Sequence, residues 1–152
     1  MSEFRIIGIA VASGRIGYAM LTCDDKLVDW GASRAAALSP DAARAKVTAW
    51  IDLIHPGAIV TERPGSNARK RGLTLALMQA VTETASQSDA ICVTTTKVRR
   101  YKDKYREAAA LAKEFPELLP HLPKKPAVWL NEPKRMILFE ALSLALRLRE
   151  TR

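Results

Sequence analysis

Two glutamates occupy positions where the hydrophobic pattern predicts burial or the end of a strand. Glu140 lies four residues after Met136 and four before Leu144, so a helix would project it from an otherwise apolar face. Glu62 ends an apolar run directly before Arg63. A buried carboxylate is costly unless it has a raised pKa, a charged partner or a metal. The alternative is that Glu140 lies at the rim of an imperfect helix and that Glu62 faces solvent.

Carboxylates that converge from a strand end and a helix suit a divalent metal such as Mg²⁺ or Mn²⁺, which prefers oxygen ligands. Two-metal hydrolysis of phosphodiesters needs about three or four carboxylates, because the two ions lie about 3.5–4 Å apart. Glu132 is a candidate third ligand, but on a helix it would lie about 12 Å from Glu140. It fits better as a first-turn charge, so Glu62 and Glu140 alone leave such a site short of ligands.

Basic residues cluster after the segments that end near Glu62 and Thr96. The predicted nucleic-acid contacts are Arg69, Lys70, Arg71, Lys97, Arg99, Arg100, Tyr101 and Lys102. The second cluster continues with Lys104, Tyr105 and Arg106. Cationic groups at these positions would neutralise phosphates, and a tyrosine could stack on an unpaired base. The alternative is an ordinary solvated loop and helix face.

Composition favours a polyanionic partner. The 152 residues contain 24 Lys and Arg against 16 Asp and Glu, a net charge of +8. The two cysteines, Cys23 and Cys92, lie far apart in strand-like runs, which argues against a disulfide framework or a zinc site. We expect two buried free thiols and a cytoplasmic protein. No apolar run is long enough to span a membrane, and the polar N-terminus does not resemble a targeting peptide.

The elements that would position these groups begin with three strands, predicted at 4–12, 16–23 and 27–33. The first is apolar almost throughout, which is typical of a central strand buried on both faces. The short connections between the three predict antiparallel hairpins. A helix follows, capped by Ser39, with Pro40 at its first position and Pro56 beyond its end.

Strands and helices alternate in the rest of the chain. The predicted elements are a strand at 58–61, a helix at 73–86, a strand at 90–96, a helix at 103–115 and a last helix from Asn131 to about 149. This order indicates an α/β protein with a five-stranded mixed sheet, three antiparallel strands then two parallel, flanked by helices. One domain would span 1–152, and its chemistry is expected where strand ends and a helix meet near the central strand.

Three segments in this order resemble motifs of the RuvC-type Holliday junction resolvases, members of the RNase H-like superfamily. Residues 6–10 and the Gly17-Tyr18 pair are similar to that family's opening I-G-I-D strand and returning hairpin. Residues 59–62 are similar to its strand ending in a catalytic Glu, and 139–145 to the D-A-L-A-I-A motif of its C-terminal helix. The similarity covers nearly the whole chain.

The same segments depart from the family pattern. Ala10 stands where the family has its first catalytic Asp, and Val11-Ala12 replaces Pro-Gly. Glu140 stands where Asp is usual, and Ile137 replaces an acid three residues earlier. An engineered Asp→Ala change, favoured by the intact strand and hairpin, would explain Ala10. Natural loss is favoured by Val11-Ala12 and Ile137.

The resemblance implies an RNase H-like fold and a homodimeric, structure-specific endonuclease acting on branched DNA or Holliday junctions in DNA recombination. Ala10, Glu62 and Glu140 are then its catalytic positions, and Glu62 and Glu140 hold Mg²⁺ or Mn²⁺. With Ala10, the chain as written is expected to be inactive or strongly impaired.

Three other functions remain open. The first is a non-catalytic nucleic-acid-binding module on the same fold, with salt-sensitive binding and no metal requirement. The second is a sugar-kinase or actin-type ATPase half, which needs two such domains. The third is a YqgF-like nuclease that acts on RNA.

Overall fold

The structure, a computed structural model, describes residues 4–12, 14–63, 72–95, 104–122 and 136–150. Its strands and α-helices are, in chain order, β1 (Arg5–Ala12), β2 (Arg15–Thr22), β3 (Leu27–Ser33), α1 (Pro40–Ile54), β4 (Ala58–Glu62), α2 (Leu73–Ser86), β5 (Ile91–Thr95), α3 (Lys104–Glu114) and α4 (Met136–Glu150). Short 3-10 turns lie at Ala35–Ala37 and Pro116–His121. The predicted start of the last helix at Asn131 lies outside the described residues.

The five strands form one mixed sheet in the order β3-β2-β1-β4-β5. Strands β1, β2 and β3 pair antiparallel, and β4 and β5 pair parallel to β1 and to each other. The predicted five-stranded mixed sheet is therefore confirmed. Because β1 is the central strand and helices pack on both faces of the sheet, its residues are buried on both faces, which explains its nearly continuous apolar sequence.

The two faces of the sheet carry separate apolar clusters. Alternate residues of β1 point to opposite faces: Ile6 and Ala10 face α3 and α4, whereas Ile7 and Ile9 face α1 and α2. Helix α4 crosses β1 so closely that a Cβ on Gly8 would collide with the backbone of α4 at Ala141.

Helix α1 begins as the sequence predicts. The Ser39 hydroxyl accepts a hydrogen bond of 3.0 Å from the Ala42 N–H, and Pro40 occupies the first helical position. The helix ends at Ile54, and His55, which caps it, has a left-handed φ of 52°. Among the described residues, no helix combines the length and the apolar character needed to cross a membrane.

The prediction of two buried thiols is wrong for Cys23. Strand β2 ends at Thr22 rather than at 23, because the Asp25 N–H bonds to the Thr22 carbonyl and closes a turn. Cys23 lies in that turn and is exposed. Cys92, on β5, is half-buried, and burial raises the pKa of its thiol.

Candidate functional site

Parallel pairing brings two of the predicted site positions together. Ile9 of β1 lies beside Thr61 of β4, so the next residues of the two strands, Ala10 and Glu62, adjoin at the carboxyl ends of both. Side chains alternate along a strand, so Ala10 and Glu62 belong to the face of the sheet that α4 covers. Glu62 is half-buried at the end of its strand.

Ala10 lies in apolar packing. It is 1% exposed and belongs to the cluster that includes Met136 and Ile137 of α4. On β2, Gly17 pairs directly with Ala10, and a Cβ added to Gly17 would lie only 2.8 Å from Cγ1 of Ile137. The Ile137 side chain therefore sits directly over the strand residue that adjoins Ala10. Both positions where the resemblance expects acids are thus apolar and buried.

Glu140 lies beside this contact rather than inside it. Ile137 and Ala141 pack directly on the sheet, whereas Glu140 is half-buried and shares its side of α4 with Ser143 and Arg147, which are also half-buried. The rim position is therefore the one the structure supports, and the expectation that Glu140 projects from the apolar face is wrong. The face is nearly continuous along α4, so sequence periodicity could not locate its edge.

The carboxylates of the described residues do not fit a two-metal centre. Within these parts of the chain, no group of three or more His, Cys, Asp or Glu side chains could hold a metal ion. Ala10 and Ile137 provide no ligand atoms, which leaves Glu62 and Glu140 of the predicted set. Two carboxylates are too few to hold two ions about 3.5–4 Å apart. Glu132 lies outside the described residues.

The predicted nucleic-acid contacts also lie outside the described residues: Arg69, Lys70, Arg71, Lys97, Arg99, Arg100, Tyr101 and Lys102. They stay predictions. The described chain does fix where their segments begin, because β4 and β5 are parallel neighbours that finish at the same end of the sheet. Both basic segments follow those strand ends in sequence.

Two arginines at this end of the sheet were missed by the sequence reasoning. Arg15 begins β2 opposite Ala12, and Arg34 directly follows Ser33, whose strand partner is Ile16. Neither arginine has an ion pair with an acidic side chain of the described residues. Partial burial lowers the pKa of Arg15, and the like charge of Arg34 lowers it further. Their closeness depends on hairpin register, which the two separate positions do not reveal in the sequence.

Arg63 lies at the same end, on the other side of β1. It is exposed, and its backbone N–H donates a 2.9 Å hydrogen bond to the Thr95 carbonyl. Arg34 follows β3 and Arg63 follows β4, and three strand spacings separate β3 from β4. At about 4.8 Å for each spacing, the backbones at Arg34 and Arg63 are about 14 Å apart. Arg15, Arg34 and Arg63 are called the basic edge below. They lie at the carboxyl ends of β1 and β4, where Ala10 and Glu62 adjoin.

No family model matches this chain, and no curated protein matches it in sequence. Solved structures match in fold. The Thermus thermophilus RuvC structure has a TM-score of 0.63 at 14% identity, covering 94% of this chain and 92% of that one. Thermus thermophilus RuvC in complex with a Holliday junction substrate has a TM-score of 0.55 at 18% identity, covering 94% and 90%.

The fowlpox virus resolvase, in complex with substrate Holliday junction DNA, has a TM-score of 0.58 at 11% identity and covers 97% of this chain and 99% of that one. At these identities the similarity shows the fold alone. The chain therefore has a resolvase-like, RNase H-like α/β fold, as the sequence motifs predicted.

Proposed function

We propose that this chain is a nucleic-acid-binding protein that recognises branched DNA through the carboxyl end of its sheet, and that as written it does not cleave DNA by a two-metal mechanism. The resolvase-like fold supports this proposal, since solved proteins of the same fold are bound to Holliday junctions. The net charge of +8 supports a polyanionic partner.

The basic edge supports a binding surface at the carboxyl end of the sheet. Arg15 and Arg34 hold like charges close together without an acidic partner among the described residues. A phosphate between or beside them would relieve their repulsion and form charge-assisted hydrogen bonds. In sequence, the two basic segments follow Arg63 and Thr95, which both lie at this end of the sheet.

The packing around Ala10 is the observation that favours a binding protein over a nuclease. Ala10 and Ile137 are both buried, and Ile137 packs over Gly17, the strand partner of Ala10. A two-metal site would need carboxylate oxygens at these positions. Glu62 and Glu140 remain, and alone they do not complete such a site. Binding by the basic edge needs no metal, because the phosphates are neutralised by guanidinium groups.

Fluorescence anisotropy in EDTA tests the proposal, with a four-way junction and a linear duplex of equal length as ligands. We expect tighter binding of the junction, with affinity that falls steeply as salt rises. The double variant Arg15→Ala, Arg34→Ala should reduce the slope of log K against log salt by about 1.8, or about 0.9 for each phosphate that is no longer neutralised. Equal affinity for the two DNAs, or binding insensitive to salt, would contradict the proposal.

Lys26→Ala is the matched control for this experiment. Lys26 is exposed in the turn between β2 and β3, at the opposite end of the sheet from the basic edge. Its removal deletes one positive charge from the chain without touching the proposed surface. The salt slope of this variant should equal that of the unchanged protein. A loss of about 0.9 in this variant, half that of the double variant, would mean that net charge, not the basic edge, determines binding.

A second candidate function is a metal-dependent endonuclease whose site is completed when position 10 carries an acid. The adjacency of Ala10 and Glu62 at the carboxyl ends of paired strands favours it. Ala10→Asp should then cleave branched DNA in Mg²⁺ or Mn²⁺, whereas the unchanged chain should not. If the folded variant cleaves nothing, the nuclease framework is refuted and the binding function stands alone.

We also propose that residues 1–152 form one domain that acts as a homodimer in the cytoplasm, in a pathway of DNA recombination. A homodimer would present two basic edges to the arms of one junction. Analytical ultracentrifugation with and without junction DNA tests the oligomeric state. A monomer under both conditions would refute this part of the proposal.

A further inference from the structure

A cavity of about 520 Å³ opens beside the end of β4, on the face of the sheet opposite Ala10. It is lined by Glu62 at the end of β4 and the following Arg63, by Gln79 and Glu83 of α2, and by Thr94 of β5. Its volume lies within the range of about 300–1,000 Å³ that is usual for small-ligand pockets. This space, called the threonine cavity below, adjoins the basic edge through Arg63.

A row of hydroxyl groups lies at the base of the cavity. The Thr82 hydroxyl donates to the Thr61 hydroxyl at 3.3 Å, and the Thr61 hydroxyl donates to the Thr94 hydroxyl at 3.5 Å. Thr61 is only 1% exposed, so this polar contact lies inside the protein. Thr82 and Thr94 also line the open space. Hydroxyl groups both donate and accept, so the row can adapt to different polar edges of a ligand.

The lining suits a flat ligand that has an apolar face and a polar edge. Met78 contributes to the wall, and a thioether makes favourable contacts with aromatic rings. The Gln79 side chain is exposed at the rim and offers both an amide donor and an acceptor. Gln pairs with two edge atoms of adenine in known protein–DNA contacts.

The charges of the cavity distinguish a base from a phosphate. The Glu83 carboxylate, on the α2 side of the cavity, would repel a phosphate placed inside, whereas a carboxylate accepts hydrogen bonds from an exocyclic amino group. Glu83 also lies 3.5 Å from the guanidinium of Arg44, which orients it. Arg63, by contrast, is exposed at the rim, where the backbone of a bound nucleotide would pass.

We propose that the threonine cavity accepts one nucleobase unstacked from the branch point of a DNA junction, with adenine or cytosine preferred over thymine because their amino groups can donate to the Glu83 carboxylate. This inference rests on the proposed binding of branched DNA and names the part of the substrate that enters the protein. Unstacking a base costs least where pairing is already disturbed, as at a branch. Such a cavity would therefore favour junctions over continuous duplex.

The test uses the full chain and a four-way junction with 2-aminopurine at the branch point, whose fluorescence rises when the base leaves the stack. We expect a rise on binding, and no rise when 2-aminopurine lies in the middle of an arm. Gln79→Ala, a substitution of an exposed residue, should weaken junction binding about tenfold and reduce the rise. Thr82→Val, which keeps the shape but removes the hydroxyl, should act in the same direction.

Gln87→Ala is the matched control. Gln87 is an exposed glutamine just after the other end of α2, beside a different cavity, so its loss should leave both signals unchanged. An abasic site at the branch point provides a second control. With the base absent, the unchanged protein and Gln79→Ala should bind equally, because the base that Gln79 would contact is missing.

The outcomes separate this inference from the proposed function. If the unchanged protein does not prefer the junction, the proposed function fails, and this inference with it. If the junction binds tightly but fluorescence stays constant and Gln79→Ala binds normally, the cavity inference alone is refuted. If the abasic junction still distinguishes Gln79→Ala, the glutamine contacts something other than the base and the inference is likewise overturned.

Discussion

An Ala10→Asp substitution would place a carboxyl group in the apolar cluster between the sheet and α4. Ala10 is 1% exposed there, with Ile137 over its strand neighbour Gly17. Glu62 directly follows Thr61, the β4 partner of Ile9, and therefore lies close to Ala10. Burial and the neighbouring carboxylate both raise the pKa of an introduced carboxyl, because both disfavour its charged form. The folded protein would therefore hold this carboxyl protonated unless a metal ion binds it.

The cost follows from that protonation. Holding the introduced carboxyl protonated at pH 7 costs about 1.4 kcal/mol for each pH unit above its ordinary pKa of about 3.9, or about 4 kcal/mol in all. The larger side chain adds about 1–3 kcal/mol of overpacking at a site this full. Since the folded-state pKa is raised, the folded state binds more protons than the unfolded state. The first part of the cost is present at pH 7 and disappears as the pH falls towards 4.

Urea denaturation of the unchanged protein, Ala10→Asp and Ala10→Asn between pH 4 and pH 8 measures this effect. Asparagine has nearly the same size and does not titrate, so the difference between the two variants isolates the charge. We expect that difference to grow with pH at up to about 1.4 kcal/mol per unit. A difference that is constant with pH would refute the view that position 10 lies in a dry, apolar environment.

The same variants show whether a metal site can be completed. If the introduced carboxyl and Glu62 bind an ion together, Mg²⁺ or Mn²⁺ should stabilise Ala10→Asp by about 2.7 kcal/mol at one hundred times the dissociation constant. Ala10→Asn should respond far less. Equal responses of the two variants would show that the ion binds elsewhere.

Three further predictions concern the scaffold and are measured by urea denaturation. Gly8→Ala should destabilise the protein by about 3 kcal/mol or more, because its Cβ would collide with backbone of α4 at Ala141 and nothing flexible can yield; a change below about 1 kcal/mol would contradict this close approach. Ser39→Ala should cost about 1 kcal/mol through loss of the α1 cap, whereas Ser39→Asp should retain most of that stability. Burial and the hydrogen bond to Asp29 raise the pKa of Tyr18 above its ordinary 10.0, so stability should fall as the pH rises above 10, and Tyr18→Phe should remove this fall; an unchanged pH profile would argue against it.

The local elements of this fold are determined by short stretches of sequence. The apolar run of β1 indicated a central strand because a strand covered on both faces has no polar side. The Ser39-Pro40 pair located the start of α1, because a serine hydroxyl satisfies a free backbone N–H and proline needs no donor. The order of strands and helices is compatible with few sheet topologies. The predicted five-stranded mixed sheet, with three antiparallel and two parallel strands, is the one observed.

The arrangement around position 10 was decided by tertiary structure. The sequence alone identified Ala10 as a position that departs from the resolvase pattern, and Glu62 and Glu140 as the carboxylates that match its catalytic positions. The parallel pairing of β1 with β4 brings Ala10 close to Glu62. Helix α4 crosses the sheet so that Ile137 packs over Gly17, beside Ala10. These contacts join residues distant in sequence, and the identity of a residue does not specify its partner across a sheet or a helix crossing.

The basic edge has the same origin. Arg15 and Arg34 are unremarkable as single positions, and only the pairing of β2 with β3 brings them together. The sequence by itself determined the strands, the caps, the excess of positive charge and the missing acid at position 10. Tertiary structure decided which charges adjoin and that Ala10 and Ile137 lie in apolar packing, because burial and proximity are properties of packed elements rather than of the chain.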